Sequence, residues 1–114
     1  MEKELALLIV IINNGYGEEA INLLKEEGAM GATIINGSGA VKPEAKKLYG
    51  IEINPEKEIL LVVVSKDILD NLMTSIYEKL GSTTLAQGVA FSLPVNYATS
   101  NLYKQFNKDD KDVK

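Results

Sequence analysis

The chain has 114 residues and a mass of 12.4 kDa, enough for one compact domain with a real core and too few for two. It contains no Cys, His or Trp, and its basic residues are all Lys, so Arg is absent too. These gaps exclude disulfide and thiol chemistry, zinc and iron–sulfur sites and a Ser-His-Asp triad. With the formal charge of −4 they also argue against nucleic acid as a partner.

Met1 to Glu4 carries two acids and lacks the basic start of a signal peptide, and no run of about 18 apolar residues occurs. A cytoplasmic protein with no direct membrane insertion is therefore the expectation. Leu5 to Ile12 is apolar at every position and is ended by Asn13-Asn14-Gly15, a strong turn signal. It reads as a central strand. Gly17-Glu18-Glu19 then opens a helix with its acids where the macrodipole favours them. Ala20, Ile21, Leu23 and Leu24 form its apolar stripe, and Gly28 ends it. Ala32 to Asn36 is a short strand rich in β-branched residues, and it leads into Gly37-Ser38-Gly39, read as a tight turn.

From there to Glu58 the periodicity fails, and Pro43, Gly50 and Pro55 punctuate a polar segment. A connection this long inside a small domain is functional or mobile. Pro43 to Tyr49 reads as a short helical turn. Ile59 to Val64 is aliphatic throughout, a strand that must be covered on both faces. Ser65 caps the next helix, whose stripe is Ile68, Leu69, Leu72, Met73, Ile76, Tyr77 and Leu80. All of these, Tyr77 and Met73 included, are expected in the core. After the turn-prone Gly81 to Thr84, Gly88 to Leu93 alternates as a strand stopped by Pro94. Residues 107–114 read as a flexible tail after a single domain spanning 1–106.

The order strand, helix, strand, strand, helix, strand predicts an α+β fold. It is the ferredoxin-like βαββαβ plait, a four-stranded antiparallel sheet with two helices on one face. The central strands then send about seven aliphatic side chains to the other face, each worth ~1.5–3 kcal/mol when buried. Such a face predicts a homo-oligomer packed sheet to sheet.

Gly31 to Gly39, Gly50 to Ile53, Pro55 to Ile59 and Gln87-Gly88-Val89-Ala90-Phe91-Ser92-Leu93-Pro94-Val95 together resemble the PII-like signal-transduction proteins. The resemblance implies a non-enzymatic homotrimer, closed through the free sheet face, with a small effector in clefts between subunits. ADP or ATP, with or without Mg, is the implied effector, and no cofactor is required. A mobile loop, about residues 37–57 here, would engage a transporter or enzyme. The ligand-binding residues implied are Thr33, Gly37, Ser38, Gly39, Val62, Val63, Val64, Gln87, Gly88 and Val89. Lys42, Lys46, Lys47 and Tyr49 would meet the partner.

The chain departs from typical nitrogen regulators at Val89, where they carry a basic residue, and at Lys104 and Lys108, near where they carry arginines. A non-typical branch with an altered effector, such as a cyclic nucleotide or bicarbonate, is the corresponding alternative. An amino-acid-binding module of the ACT type shares the same element order, and a small plait enzyme without His or Cys ranks last.

Overall fold

The computed structural model describes residues 3–39, 47–48, 51–52 and 55–106. Strand β1 (Leu5–Asn13) leads into helix α1 (Gly17–Glu26) and strand β2 (Thr33–Ser38). Two short strands, β3 (Lys47–Leu48) and β4 (Ile51–Glu52), pair with each other before β5 (Glu56–Ser65). A 3₁₀ turn (Lys66–Ile68) enters α2 (Leu69–Leu80), followed by β6 (Val89–Val95) and α3 (Ser100–Phe106). The main sheet is antiparallel with order β2-β5-β1-β6, so the two continuous aliphatic runs sit at its centre as expected.

Strand periodicity sorts the side chains. Ala6, Leu8, Val10 and Ile12 of β1 and Leu60, Val62 and Val64 of β5 point to the helices and are buried. There they meet Ala20, Leu23 and Leu24 of α1 and Leu72, Ile76 and Leu80 of α2 in one core. Each of these larger aliphatics contributes ~1.5–3 kcal/mol.

The 3₁₀ turn that leads into α2 and the start of α1 are each capped by a side chain, whereas α2 itself, at Ile68, has no side-chain cap. Asp67 N–H donates to Ser65 Oγ at 3.1 Å, as the sequence predicts. The α1 start is capped from a distance, because Tyr16 supplies no side-chain cap and Gly17 N–H donates to Glu58 Oε1 of β5 at 2.6 Å. Gly15 and Gly28 adopt positive φ of 99° and 110°, which closes the turn after β1 and ends α1.

Several expectations change. A third helix, α3, follows the plait. Tyr77 is 76% exposed and lies outside the core, while Met73 packs partly against it. Pro94 does not stop β6, which continues to Val95; β6 is an edge strand paired only to β1, where a missing N–H is tolerated. Gly37-Ser38 is not a tight turn, because β2 pairs with β5 through Gly37↔Lys57 and Ser38↔Glu56. Lys47–Leu48 is strand and not helical turn; Pro43 to Lys46 and Tyr49 lie outside the described residues, as does the 107–114 tail. No helix among the described residues is long and apolar enough to cross a membrane.

Candidate functional site

The sheet face away from α1 and α2 is built from rows that the strand registers align. Val63, Leu7 and Leu93 form one row; Thr33, Leu61, Ile9 and Phe91 the next; Ile35, Ile59, Ile11 and Val89 the third. The edge members stand well out, with Ile35, Val89, Phe91 and Leu93 all exposed. Contiguous apolar faces larger than a few hundred Å² mark interaction sites in proteins generally.

The fourth row changes character. Two residues further along each strand come Gly37, Lys57 and Asn13, with Gln87 completing the line just before β6. Lys57 Nζ donates to Asn13 Oδ1 at 2.8 Å. Asn13 Nδ2 donates to the Leu85 carbonyl at 2.8 Å and to Gln87 Oε1 at 3.2 Å. The Asn13 backbone N–H donates to the Ala86 carbonyl at 2.9 Å, so the 84–88 segment is stitched to the end of β1. Asn13 and Gln87 are buried, and Gln87 sits at φ 51°, uncommon for a residue with a Cβ. Desolvation by burial lowers the Lys57 pKa below the ordinary lysine value.

A cavity of about 290 Å³ lies at the opposite end of the same face. Met30, Gly31, Ala32 and Thr33, with Leu61 and Val63, form its floor, and Leu102, Gln105 and Phe106 of α3 form a wall. The β2 ladder stops at Thr33↔Leu61, so one backbone edge of Val62 to Val64 carries no β2 partner. The lining of this slot is mainly apolar, with Thr33 and Gln105 as its polar side chains.

The sequence candidates therefore fall into two groups. Thr33 and Val63 line the cavity, whereas the side chains of Val62 and Val64 are core. Gly37, Ser38 and Gly39 are at the polar end, together with Gln87. The tight turn expected at Gly37 to Gly39 is replaced by strand pairing at Gly37 and Ser38, and Gly39 N–H donates to the Pro55 carbonyl at 2.6 Å. Gly88 N–H is likewise taken, by the Leu80 carbonyl at 2.5 Å. Val89 presents an apolar side chain at the edge. Of the partner-contact residues, Lys42, Lys46 and Tyr49 lie outside the described residues, and Lys47 is placed on β3 by its backbone.

Asn13 and Lys57 are the residues that sequence reading passed over, one as a turn residue and the other as part of a polar loop. The available signal was periodicity. Counting back in twos from Val63, Leu61 and Ile59 reaches Lys57, and counting forward from Leu7, Ile9 and Ile11 reaches Asn13. Among the described residues no group of three acidic side chains converges to hold a metal.

No family profile and no curated protein matches the chain. Solved structures do. A PII-like signalling protein from Thermus thermophilus superposes with a TM-score of 0.63 at 17% identity, covering 83% of this chain and 90% of that one. GlnK of B. subtilis gives 0.61 at 17% identity, with 82% and 86% covered. Arabidopsis thaliana PII bound to citrate gives 0.61 at 20% identity, with 82% and 77% covered. The B. subtilis GlnK–ATP complex superposes at 0.58 and 18% identity, with 83% and 84% covered. The chain thus has the PII fold, the α+β ferredoxin-like antiparallel sheet with α1 and α2 on one face.

Proposed function

We propose that this protein is a non-enzymatic PII-like regulator. It assembles as a trimer through the open sheet face and binds an adenine nucleotide in the seams between subunits. The observation that carries the reading is the layout of that face, with apolar rows in the middle, a polar row at one end and a ring-sized slot at the other. Thr33 and Gly37 are about 13 Å apart along β2, and the apolar Ile35–Ile59 row lies between them. Once a second copy covers that row, no ligand can run across it within one subunit. The slot of one subunit and the polar end of its neighbour then meet at a seam, the base resting on Thr33, Leu61 and Val63 and the phosphates facing Lys57. The fold shared with a GlnK solved as an ATP complex supports this assignment. Magnesium would enter with the phosphates. The segment between β2 and β5 leaves from the polar end, where an effector biases its conformations and a transporter or enzyme reads the result.

The single cation of the polar row favours a second reading, an effector with less charge than ATP, such as a cyclic nucleotide or bicarbonate. Thermal shift and calorimetry with ATP, ADP, AMP, cyclic AMP and bicarbonate, each with and without Mg, separate the two. At one hundred times Kd a true effector adds ~2.7 kcal/mol of stability. Absence of binding by every adenine nucleotide ends the leading reading.

A further inference from the structure

Asn-Gly occurs twice in the chain, at Asn14-Gly15 and at Asn36-Gly37, and the fold treats the two pairs differently. A glycine after an asparagine lets its backbone nitrogen approach the side-chain amide carbon, because no Cβ stands in the way. Asn14 and Gly15 are both exposed and form the centre of the turn between β1 and α1, which Tyr16 N–H closes by donating to the Asn13 carbonyl at 3.2 Å. The peptide joining Asn14 to Gly15 is the central one of that turn and can flip without breaking the closing bond. Its N–H makes no hydrogen bond to the described residues, and nothing lies within 4 Å of where a Cβ on Gly15 would stand. Asn36 and Gly37 are instead held in β2, in register with Glu58 and Lys57 of β5. There Ile59 Cδ1 is 3.2 Å from where a Cβ on Gly37 would stand.

We infer that Asn14 is a site of spontaneous covalent modification, losing its side-chain amide through a cyclic imide, while Asn36 is spared. The Gly15 nitrogen gives up its proton to solvent base and attacks Cγ of Asn14. The new N–Cγ bond closes a succinimide ring, and the Cγ–Nδ2 bond breaks with Nδ2 leaving as ammonia. Water then adds to one of the two imide carbonyl carbons. Opening at Cγ leaves aspartate, and opening at the Asn14 main-chain carbon leaves isoaspartate, with the chain now running through Cγ. Either product adds one negative charge to the −4 of the chain. Isoaspartate also inserts a methylene into the backbone between the Asn13 carbonyl and the Tyr16 N–H, the two groups that must meet to close the turn. The reaction takes only the chain and water, so it is independent of the proposed effector.

The test is peptide mapping of the full chain by mass spectrometry after incubation in warm, mildly alkaline buffer, both folded and in urea. Trypsin places Asn14 in peptide 4–25 and Asn36 in peptide 26–46, since Lys42 precedes Pro43, and fragmentation locates the modified residue. The rates in urea give the intrinsic ratio of the two pairs. Folding should shift that ratio about fivefold or more in favour of Asn14, the worth of one ladder hydrogen bond that Asn36-Gly37 must break. Asn14→Gln, whose longer side chain disfavours ring closure, should remove the leading acidic species on ion exchange. The isoaspartate form separated in that way should melt below the fresh chain, whereas Asn14→Asp, with the same charge on an unaltered backbone, should melt with the parent. A ratio that folding leaves unchanged, or an Asn14 that stays intact when folded yet reacts in urea, overturns the inference. An isoaspartate form that melts with the parent refutes the effect on the turn.

Discussion

Phe91 offers the most direct perturbation of the open face. It lies in the middle row opposite Ile9, on an edge strand, and is 44% exposed in the single subunit. Taking about 200 Å² for a phenylalanine leaves roughly 90 Å² to be covered by a neighbouring copy, and at ~25 cal/mol per Å² this is ~2 kcal/mol per subunit. A trimer forfeits it three times, ~6 kcal/mol, or roughly 10⁴-fold in the assembly constant. Phe91→Asp adds the cost of desolvating a carboxylate against Ile9 and Leu93 of a packed interface. Light scattering at micromolar concentration should therefore report trimer for the parent and monomer for the variant. Circular dichroism should show the sheet retained and a cooperative melt at lower temperature, because the buried core of β1, β5 and the two long helices does not include Phe91. A variant that stays trimeric, or a parent that is already monomeric at that concentration, refutes the reasoning.

Glu58→Ala removes the acceptor for Gly17 N–H and should cost ~1–2 kcal/mol in urea unfolding, with Glu58→Gln recovering part of it; no loss would mean that α1 does not depend on this cap. Gly88→Ala places a Cβ 2.5 Å from the Leu80 carbonyl oxygen, and should cost ~1–3 kcal/mol through displacement of the segment before β6. An unchanged melting temperature would contradict that close approach. The lowered Lys57 pKa has its own pH signature. Between the folded value and the ordinary 10.5 the unfolded chain binds more protons, so this residue makes stability rise with pH across that interval. The difference in Tm between the parent and Lys57→Met should accordingly grow in favour of the parent as pH rises toward 10.5, and a flat difference would refute the burial of the ammonium.

Much of the architecture was legible because it depends on local pattern. The two runs that are apolar at every position, Leu5 to Ile12 and Ile59 to Val64, could only be central strands. The three-and-four spacing from Ile68 to Leu80 could only be a helix with one buried side. Because two helices cover one side of a sheet, the exposed apolar face also followed from composition and element order. Its exact extent did not, since Phe91, Val89 and Ile35 join it only through the pairing of β6 and β2 with the centre.

The candidate site was less legible because its parts are distant in sequence and ordinary in type. Gly37 to Gly39 carries turn composition, yet pairing with β5 keeps it extended, an instance of tertiary hydrogen bonding overriding a local preference. Asn13, Lys57 and Gln87 are each unremarkable alone. They meet because three strands end at the same level, which is set by register and not by any motif. The alternation of side chains along a strand is intrinsic to the chain, and so the amino-acid order alone determined which surfaces are greasy. Which polar residue faces which depends on how strands slide against one another, and only the folded sheet decided that Lys57 would rest on Asn13 and leave the Gln87 amide without a partner among the described residues.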